Sequence, residues 1–308
     1  MRRRPLRLLP LKPRIAITVG DPAGIGPEVA RKAARDTRVR DACEPVLYEG
    51  SDRPFPPGVL SAEAGRAAYQ AIVRAVDDVR RGEVAAVATA PLNKEAFKLA
   101  GLPWHGHTDL LAHLAGVPTV AMMFYSNALR VVLATIHIPL SEVPRALTAP
   151  SLEATIRLTV RELPRFGYPR PRLAVAGLNP HAGEHGLFGV EEELAIRPAV
   201  DACLADGIDV SGPFAADTLF VRAHRGEFDA VVACYHDQGL IPVKLLSFGR
   251  VVNVTLGLPF VRTSVDHGTA FDIAGRGVAD PGSMIEAVLL AAQLARSTAP
   301  APRTAGTV

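Results

Sequence analysis

Short apolar runs recur along the chain, and several of the segments between them carry apolar residues at helical spacing. Continuous apolar runs of this length are typical of strands buried on both faces of a sheet. A helical stripe covers 68–79, and two further helices are predicted at 152–163 and 289–294. Strands that alternate with helices predict an α/β protein with a largely parallel sheet covered by helices. The predicted strands lie at 15–19, 84–88, 120–124, 130–134, 173–176, 230–233 and 251–254.

Composition restricts the partners and the compartment that we expect. The 308 residues, 48% of them hydrophobic, suffice for a substantial core, and the formal net charge of +3 comes from scattered basic residues. We therefore expect no nucleic-acid partner. No apolar run approaches the roughly 20 residues of a membrane span, and Pro10 and Lys12 interrupt the first apolar stretch, so we expect neither membrane insertion nor export. Three distant cysteines, Cys43, Cys203 and Cys234, favour a reducing cytoplasm.

A glycine-rich segment at 20–28 directly follows the first predicted strand. Its three glycines permit a tight turn, and Pro27 suits the first position of a helix whose N-terminus could face an anion. The segment is not a Walker A loop, and it lacks the spacing of the dinucleotide-binding fingerprint. A ligand-binding loop and a purely structural turn both fit this pattern.

Three histidines follow apolar runs, at the points where strands end: His137, His181 and His236. A single histidine in such a place is usually a hydrogen-bonded structural residue. Because parallel strands bring their carboxyl ends to one edge of the sheet, three imidazoles could meet there on a divalent ion. Sequence spacing alone does not decide between the two interpretations.

Other polar clusters also follow predicted strands. Lys94 ends the segment 89–94 and is a candidate anion contact, although a solvated helix lysine is the favoured interpretation. The segment 104–109 packs two histidines, a hydroxyl and a carboxylate around one glycine. The segment 245–270 mixes apolar residues with polar ones, which is typical of a site wall or of an ordinary glycine-rich loop.

Taken together, these segments resemble the 4-hydroxythreonine-4-phosphate dehydrogenases of pyridoxal phosphate biosynthesis. The resemblance runs nearly from end to end, from residue 15 to about residue 294. The first motif also resembles the corresponding loop of the isocitrate and isopropylmalate dehydrogenases, whose fold of two α/β subdomains with the active site in a cleft this family shares. The motifs that carry the resemblance are 20–28, 106–109, 135–140, 177–184, 216–220, 235–239 and 253–270.

The resemblance implies a division of the chain into two subdomains. The first would comprise 14–105 together with 253–297, and the second 106–252, while 1–13 and 298–308 are expected to be flexible ends. One departure from the family pattern is the segment 49–60, which is shorter than in many members. The departure bears on edge strands and on substrate fit.

The resemblance also implies a set of site residues and partners. One divalent ion (Zn, Mg or Co) would be held by His137, His181 and His236, with His236 contributed by the second subunit of a homodimer. NAD or NADP is implied by the family, and its binding residues stay unknown because the chain lacks a Rossmann fingerprint. The residues implied to contact substrate are His107, Thr108, Lys244, Asn253 and Arg262.

The implied reaction is the oxidation of 4-phosphooxy-L-threonine at C3. The product, 2-amino-3-oxo-4-phosphooxybutanoate, would decarboxylate to 3-amino-2-oxopropyl phosphate on the way to pyridoxine 5′-phosphate. A bound divalent ion would acidify the hydroxyl group that it polarises. Asp237 or Lys244 would move the protons, and Asp217 and Asp266 are candidates for holding the site in place.

Three alternatives remain open from the sequence. A related dehydrogenase could act on D-threonate or erythronate 4-phosphate, or on a cis-dihydrodiol carboxylate. The intact positions Lys244, Asn253 and Arg262 favour a phosphorylated substrate over a dihydrodiol. A metabolite-binding regulator that keeps the fold without turnover is the non-enzyme alternative.

Overall fold

In the computed structural model, residues 12–298 are described. The ends predicted to be flexible lie outside the described residues, except for 12, 13 and 298. Within 12–298, ten strands form one sheet in the order β2-β1-β3-β10-β9-β4-β5-β8-β6-β7. The strands are β1 (Arg14–Thr18), β2 (Glu44–Tyr48), β3 (Ala86–Thr89), β4 (Ala121–Tyr125), β5 (Arg130–Leu133), β6 (Leu173–Ala176), β7 (Val210–Phe214), β8 (Ala230–Ala233), β9 (Val252–Leu256) and β10 (Val261–Ser264).

Helices cover both faces of this sheet. The stripe predicted at 68–79 lies in a longer helix, which begins after Ser61 because the Ser61 side chain accepts a hydrogen bond from the Ala64 amide. The helices are α1 (Gly26–Arg35), α2 (Thr37–Ala42), α3 (Ala62–Arg81), α4 (Lys94–Leu99), α5 (His107–Ala115), α6 (Val143–Ala146), α7 (Ala149–Glu162), α8 (Arg197–Ala205), α9 (Ala216–His224), α10 (His236–Ser247) and α11 (Gly282–Thr298).

The strand pairing confirms a largely parallel sheet and adds an antiparallel centre. Strands β1, β2, β3 and β10 pair in parallel at one end, and β5, β8, β6 and β7 do so at the other. In the middle, β4 runs antiparallel to β5 and to β9, and β9 runs antiparallel to β10. Short connections at 126–129 and 257–260 explain the β4–β5 and β9–β10 pairs, because antiparallel neighbours can be joined by a tight turn whereas parallel neighbours need a longer crossover.

All seven predicted strands are present, and three strands were not predicted. β2 begins with Glu44 and Pro45, which lie at the edge of the sheet, where a missing N–H is tolerated. β7 contains Gly212 and Pro213, and β10 contains Arg262, so that neither strand forms an apolar run. All four residues of β10 are nevertheless buried.

The order of strands relates directly to the predicted subdomains. Strands β1, β2, β3, β9 and β10 belong to the first predicted subdomain and occupy one end of the sheet, while β4 to β8 occupy the other. The two ends are joined by five residue pairs between β4 and β9. One hydrophobic cluster includes Ile17, Met123 and Val175, so the packing continues across this junction. The subdomain division itself stays a prediction.

Two expectations came from composition: a reducing compartment, which concerns the cysteines, and no membrane insertion, which concerns the helices. The three cysteines are free and buried. None of the helices within 12–298 has both the length and the apolar character needed to cross a bilayer.

Candidate active site

Two of the three strand-end histidines lie side by side. β5 and β8 pair in parallel up to Leu133 and Ala233, so the segments that follow them leave the same edge of the sheet. His137 follows β5 and His236 begins α10, and their ring centroids are 5.7 Å apart. Two imidazoles that share one ion at roughly 2.1 Å from each nitrogen have ring centroids about 5–6 Å apart. The pair therefore has the spacing that a shared divalent ion requires.

The environment of this pair suits metal ligation. The Nδ1 atom of His236 lies 2.7 Å from a carboxylate oxygen of Asp237, which fixes the ring and leaves Nε2 free. Burial lowers the pKa of His137, and the positive charge of Lys94 lowers it further. A neutral imidazole keeps the lone pair with which it can bind a metal.

His181 does not join the other two histidines within one chain. It lies in a turn at 181–185, and its ring contacts Phe188, with the centroids 5.9 Å apart. Within 12–298 no three His, Cys, Asp or Glu side chains are grouped closely enough to hold a metal ion. A single chain thus presents two of the three predicted ligands together.

Arg262 is a buried cation without a carboxylate partner. The side chain is 2% exposed, and its guanidinium donates hydrogen bonds to Thr255 Oγ1 (2.9 Å) and Thr89 Oγ1 (2.7 Å). Among the residues that the structure describes, no Asp or Glu forms an ion pair with it, and its Nε has no partner. Burial lowers the pKa of Arg262 to about 9, so the group is still charged at neutral pH. A buried charge of this kind is stabilised when an anion binds beside it.

Two more polar atoms without partners lie among the predicted substrate contacts. Nε2 of His107 and Oδ1 of Asn253 are buried and have no hydrogen-bond partner in the described structure. His107 is the first residue of α5, followed by Thr108, so free backbone N–H groups of that helix lie beside both side chains. Asn253 is on β9, which pairs with the strand that carries Arg262. A ligand with an anionic group for Arg262 and a hydrogen-bond donor for Asn253 Oδ1 would satisfy these atoms together.

The pKa of His107 is well below its usual value, because burial and the nearby charge of Arg262 both disfavour the imidazolium. In the unfolded chain the ring takes up a proton below about pH 6.5, whereas in the folded chain it stays neutral. Its contribution to stability is therefore present above pH 6.5 and is lost as the pH falls towards the lowered pKa. We expect His107→Gln to flatten the fall in the free energy of unfolding between about pH 6.5 and pH 5, by up to about 1.4 kcal/mol per pH unit.

The effect is measured by urea unfolding of the unchanged enzyme and of His107→Gln between about pH 6.5 and pH 5. His105→Gln is the matched control, because the His105 side chain is 96% exposed two residues away. An equal flattening in both variants, or in neither, contradicts the assignment.

Lys244 and Asp266 connect α10 to the segment after β10. The Lys244 ammonium lies 3.4 Å from the Asp266 carbonyl oxygen and 3.9 Å from its carboxylate. That carboxylate accepts a hydrogen bond of 3.0 Å from Ser283. Lys244 therefore reaches from one end of the sheet towards the other, whereas Asp217 lies in the first turn of α9.

Lys94 lies beside the candidate site, although the sequence favoured a solvated helix lysine at this position. It begins α4, which Asn93 caps by accepting hydrogen bonds from the Glu95 and Ala96 amides. A Cβ atom built on Gly106 would lie 3.8 Å from the Lys94 Cε, and the charge of Lys94 acts on His137. The exposed ammonium of Lys94 thus lies between the pair of His137 and His236 and the start of α5. Its position after a strand was the only signal in the sequence.

The glycine-rich segment 20–28 has a structural reason for its glycines. A Cβ atom on Gly20 would lie 2.1 Å from the carbonyl oxygen of Pro91, and one on Gly26 equally close to that of Val19. The backbone N–H of Ile25 in this segment also donates a hydrogen bond to the carbonyl oxygen of Thr269. These contacts support the structural interpretation of the turn.

Comparison with known proteins defines the class and then the family. The chain is 46% identical to the 4-hydroxythreonine-4-phosphate dehydrogenase of Desulforapulum autotrophicum over 329 residues, covering 93% of this chain and 97% of that one. It is 45% identical to a putative D-threonate 4-phosphate dehydrogenase of Bradyrhizobium diazoefficiens, with coverages of 91% and 96%. The solved structure of the 4-hydroxythreonine-4-phosphate dehydrogenase of Klebsiella pneumoniae superposes with a TM-score of 0.83 at 44% identity, with coverages of 92% and 98%. The chain is therefore an enzyme of the oxidoreductase class.

The family follows from a match over most of the chain. Residues 19–291 match the family model described as pyridoxal phosphate biosynthetic protein PdxA, and the chain belongs to this family. Isocitrate dehydrogenase from Methylococcus capsulatus superposes with a TM-score of 0.50 at 18% identity, over 92% of this chain and 87% of that one, which supports the predicted fold class. The first alignment, at 329 residues, exceeds the 308 residues of this chain, so that relative carries residues without a counterpart here. That they are missing from 49–60 stays a prediction.

Proposed function

We propose that the enzyme oxidises 4-phosphooxy-L-threonine at C3 with NAD or NADP. The product, 2-amino-3-oxo-4-phosphooxybutanoate, decarboxylates to 3-amino-2-oxopropyl phosphate, the precursor used in pyridoxine 5′-phosphate biosynthesis. The observation that carries this proposal is the buried Arg262 cation, which has no carboxylate partner in the described structure and shares strands β9 and β10 with the unpartnered Asn253. The names of the relatives support the same substrate.

The substrate contacts follow from these charges and unpartnered atoms. Arg262 and Lys244 offset the negative charge of the phosphate or carboxylate group, and Thr108 adds a hydroxyl at the start of α5. Neutral His107 donates or accepts one directed hydrogen bond through Nε2. Asn253 orients the substrate through its free Oδ1. Lys94, beside His137, strengthens the positive field at the same place.

We propose that His137 and His236 hold a divalent ion, with His181 as the third ligand. The chemistry of the donors fits Zn²⁺ or Co²⁺ well, since both accept imidazole nitrogen readily, and Mg²⁺ less well. When bound, the ion polarises the substrate hydroxyl and helps to stabilise negative charge on oxygen.

Proton movement is assigned to Lys244. Asp237 already contacts Nδ1 of His236, so its role in this proposal is to hold that ring. Lys244 lies on the same helix, and its ammonium contacts Asp266, whose carboxylate Ser283 holds. Only the neutral amine form of Lys244 can take the proton from the C3 hydroxyl; the ammonium so formed offsets the charge of the substrate and returns that proton to the product after carbon dioxide leaves.

We propose that the active enzyme is a homodimer, because two exposed apolar surfaces flank the histidines. Ile241 and Leu245 lie one turn apart on α10, Phe248 is the residue at its C-terminal end, and the three side chains are 65%, 81% and 83% exposed. The second surface follows the turn with His181 and includes Leu187 and Leu194, each 71% exposed. If the α10 surface of one subunit packs against 187–194 of the other, each pair of His137 and His236 receives a third histidine. In this arrangement His181, and not His236 as first predicted, comes from the partner.

Leu245→Asp is expected to dissociate the dimer, because it places a charge in the centre of the α10 surface. We expect a monomer by light scattering and a loss of turnover of at least about 100-fold, since one ligand is lost. Leu204→Asp, on α8 with a side chain of similar character that is 48% exposed, is the control and should stay dimeric and active. A Leu245→Asp dimer with full turnover contradicts the proposed interface.

Substrate identity is tested by competition between phosphorylated acids. The reduction of NAD and of NADP is followed with 4-phosphooxy-L-threonine, D-threonate 4-phosphate and erythronate 4-phosphate, and kcat/KM is compared. We expect the first substrate to be used at least about 100-fold better, because at C2 it carries a charged ammonium group where the two other acids carry a neutral hydroxyl, and a hydrogen bond from a charged group is worth more. A higher kcat/KM with D-threonate 4-phosphate assigns the enzyme to that second function.

D-threonate 4-phosphate is the favoured alternative, because a relative of 45% identity bears that activity in its name. A cis-dihydrodiol carboxylate is less favoured, since it carries no phosphate group to balance Arg262 together with Lys244. A regulator without turnover is not supported, because the chain belongs to a family of oxidoreductases. The three free cysteines support the cytoplasm as the place of action.

A further inference from the structure

The turn that carries His181 has an unusual backbone conformation. Residues 181–185 have positive φ angles between 40° and 78°, Gly186 continues the run with a φ of 89°, and only two of these six residues are glycines. An L-residue pays about 1–2 kcal/mol to adopt the left-handed conformation. A run of this kind persists only where the surroundings hold it in place.

The carboxylate of Glu192 holds the start of this turn. It accepts a hydrogen bond from the backbone N–H of Asn179 (2.7 Å) and another from the Asn179 side-chain amide (2.9 Å). The carbonyl oxygen of Asn179 in turn accepts from the Ala182 amide (3.1 Å). Glu192 is 1% exposed, and among the described residues no Lys, Arg or His lies within ion-pair distance of its carboxylate.

The same carboxylate packs directly against the body of the turn. A Cβ atom built on Gly183 would lie 2.7 Å from Glu192 Oε2, and one on Gly177 would lie 3.3 Å from Oε1. A side chain at Gly183 would be strained by its positive φ and would displace Glu192, and one at Gly177 would also meet the Cα atom of Ala182 at 2.8 Å. Glu192 is therefore fitted to the turn, and it begins a π-helical segment, Glu192–Ile196, a feature often found at functional sites.

Glutamate is chemically specified at this position. Both partners on Asn179 are N–H donors, so the side chain between them must accept twice. A carboxylate is acceptor-only, whereas a glutamine of the same shape would turn its own N–H₂ group towards one of the donors. An uncharged substitute of equal size thus breaks the arrangement.

The segment held by Glu192 is also tied to the second histidine. Gln238, two residues after His236, donates a hydrogen bond of 2.7 Å to the carbonyl oxygen of Gly177 and accepts one of 2.6 Å from the Cys234 amide. The loop before His181 and the start of α10 are therefore linked through one side-chain amide.

We infer that Glu192 is a positioning residue for metal binding: its carboxylate holds the left-handed turn 181–185 in the conformation that presents His181 to the ion. The inference rests on the proposed function, in which His181 is a metal ligand. Glu192 itself acts through Asn179 and the turn and does not touch the ion.

The test is the affinity of the metal-free, full-length enzyme for Co²⁺, measured by titration of the visible absorption of the bound ion. We expect Glu192→Gln to weaken Co²⁺ binding about 10- to 100-fold. Glu193→Gln is the matched control, since Glu193 is the next residue, is exposed and pairs with Arg197 at the surface. The control should bind Co²⁺ as the unchanged enzyme does.

A double-mutant cycle separates positioning from general damage to the fold. In a His181→Ala background, Glu192→Gln should weaken Co²⁺ binding no further, because the residue through which it acts is gone. Asn179→Ala removes the side-chain amide that donates to both Glu192 and Glu191 and keeps the backbone contact. It should show the same pattern with a smaller effect, and it serves if Glu192→Gln does not fold.

Three results overturn the inference. Unchanged Co²⁺ affinity in Glu192→Gln and Asn179→Ala contradicts it and leaves the proposed function intact. Equal losses with and without His181 assign the two residues a structural role only. An unchanged enzyme that binds no Co²⁺ at all contradicts the metal site and, with it, the proposed function.

Discussion

Replacing His137 or His236 with alanine is expected to abolish metal-dependent turnover. Their rings lie 5.7 Å apart at one edge of the sheet, so either change removes half of the ligand pair that one chain presents. A polarising ion contributes several kcal/mol of transition-state stabilisation, which corresponds to a fall of roughly 1,000-fold or more in kcat/KM. The measurement is the rate of NAD(P)H formation together with the metal content of each purified variant.

His224→Ala is the control for this pair. His224 lies in the last turn of α9 and is exposed, and its removal should change neither metal content nor turnover. Variants of His137 and His236 that keep their metal and their rate contradict the metal site.

Arg262→Met is expected to separate activity from stability. The substitution removes the buried positive charge that we propose contacts the substrate anion. The loss of such a contact costs about 2–5 kcal/mol, so kcat/KM should fall roughly 30-fold to several thousand-fold. In the free enzyme the same charge lacks a carboxylate partner among the described residues, and a flexible apolar side chain of similar length fills the space. The Tm should therefore stay within about 5 °C of the unchanged enzyme.

Steady-state kinetics and thermal unfolding of Arg262→Met test both parts. Arg66→Met, at an exposed arginine of α3 paired with Glu63, should alter neither. Unchanged kinetics in Arg262→Met contradict the proposed anion contact. Unfolding of the variant at ambient temperature would instead assign Arg262 to the core.

The apolar runs were sufficient to predict seven of the ten strands, because those strands carry apolar residues on both faces. They are β1, β3, β4, β5, β6, β8 and β9. β10 was not predicted because its buried positions include Arg262, Thr263 and Ser264, which leave no apolar pattern. Arg262 and Thr263 instead donate hydrogen bonds to Thr89 and to the carbonyl oxygen of Ala287 in α11. β2 was not predicted because Pro45 is tolerated only at an edge, and edge positions are not marked in the sequence.

The candidate site was predictable where adjacency follows from parallel pairing. His137 and His236 end neighbouring strands, and strand-end polarity was enough to select them. The left-handed turn at His181 packs against Glu192, eleven residues later, and contains glycines that resemble those of any loop. Lys94 looked like a surface lysine, and only the fold brings its charge to His137. Contacts of this kind follow from tertiary packing and have no local pattern.

The central claim is that a bound divalent ion and a phosphorylated hydroxy acid meet at this site. Its most direct test is NAD(P)H formation with 4-phosphooxy-L-threonine, before and after removal of metal with a chelator, and again after Zn²⁺ or Co²⁺ is restored. We expect turnover that the chelator abolishes and the added ion recovers. Turnover that is unaffected by the chelator in demonstrably metal-free enzyme would contradict it.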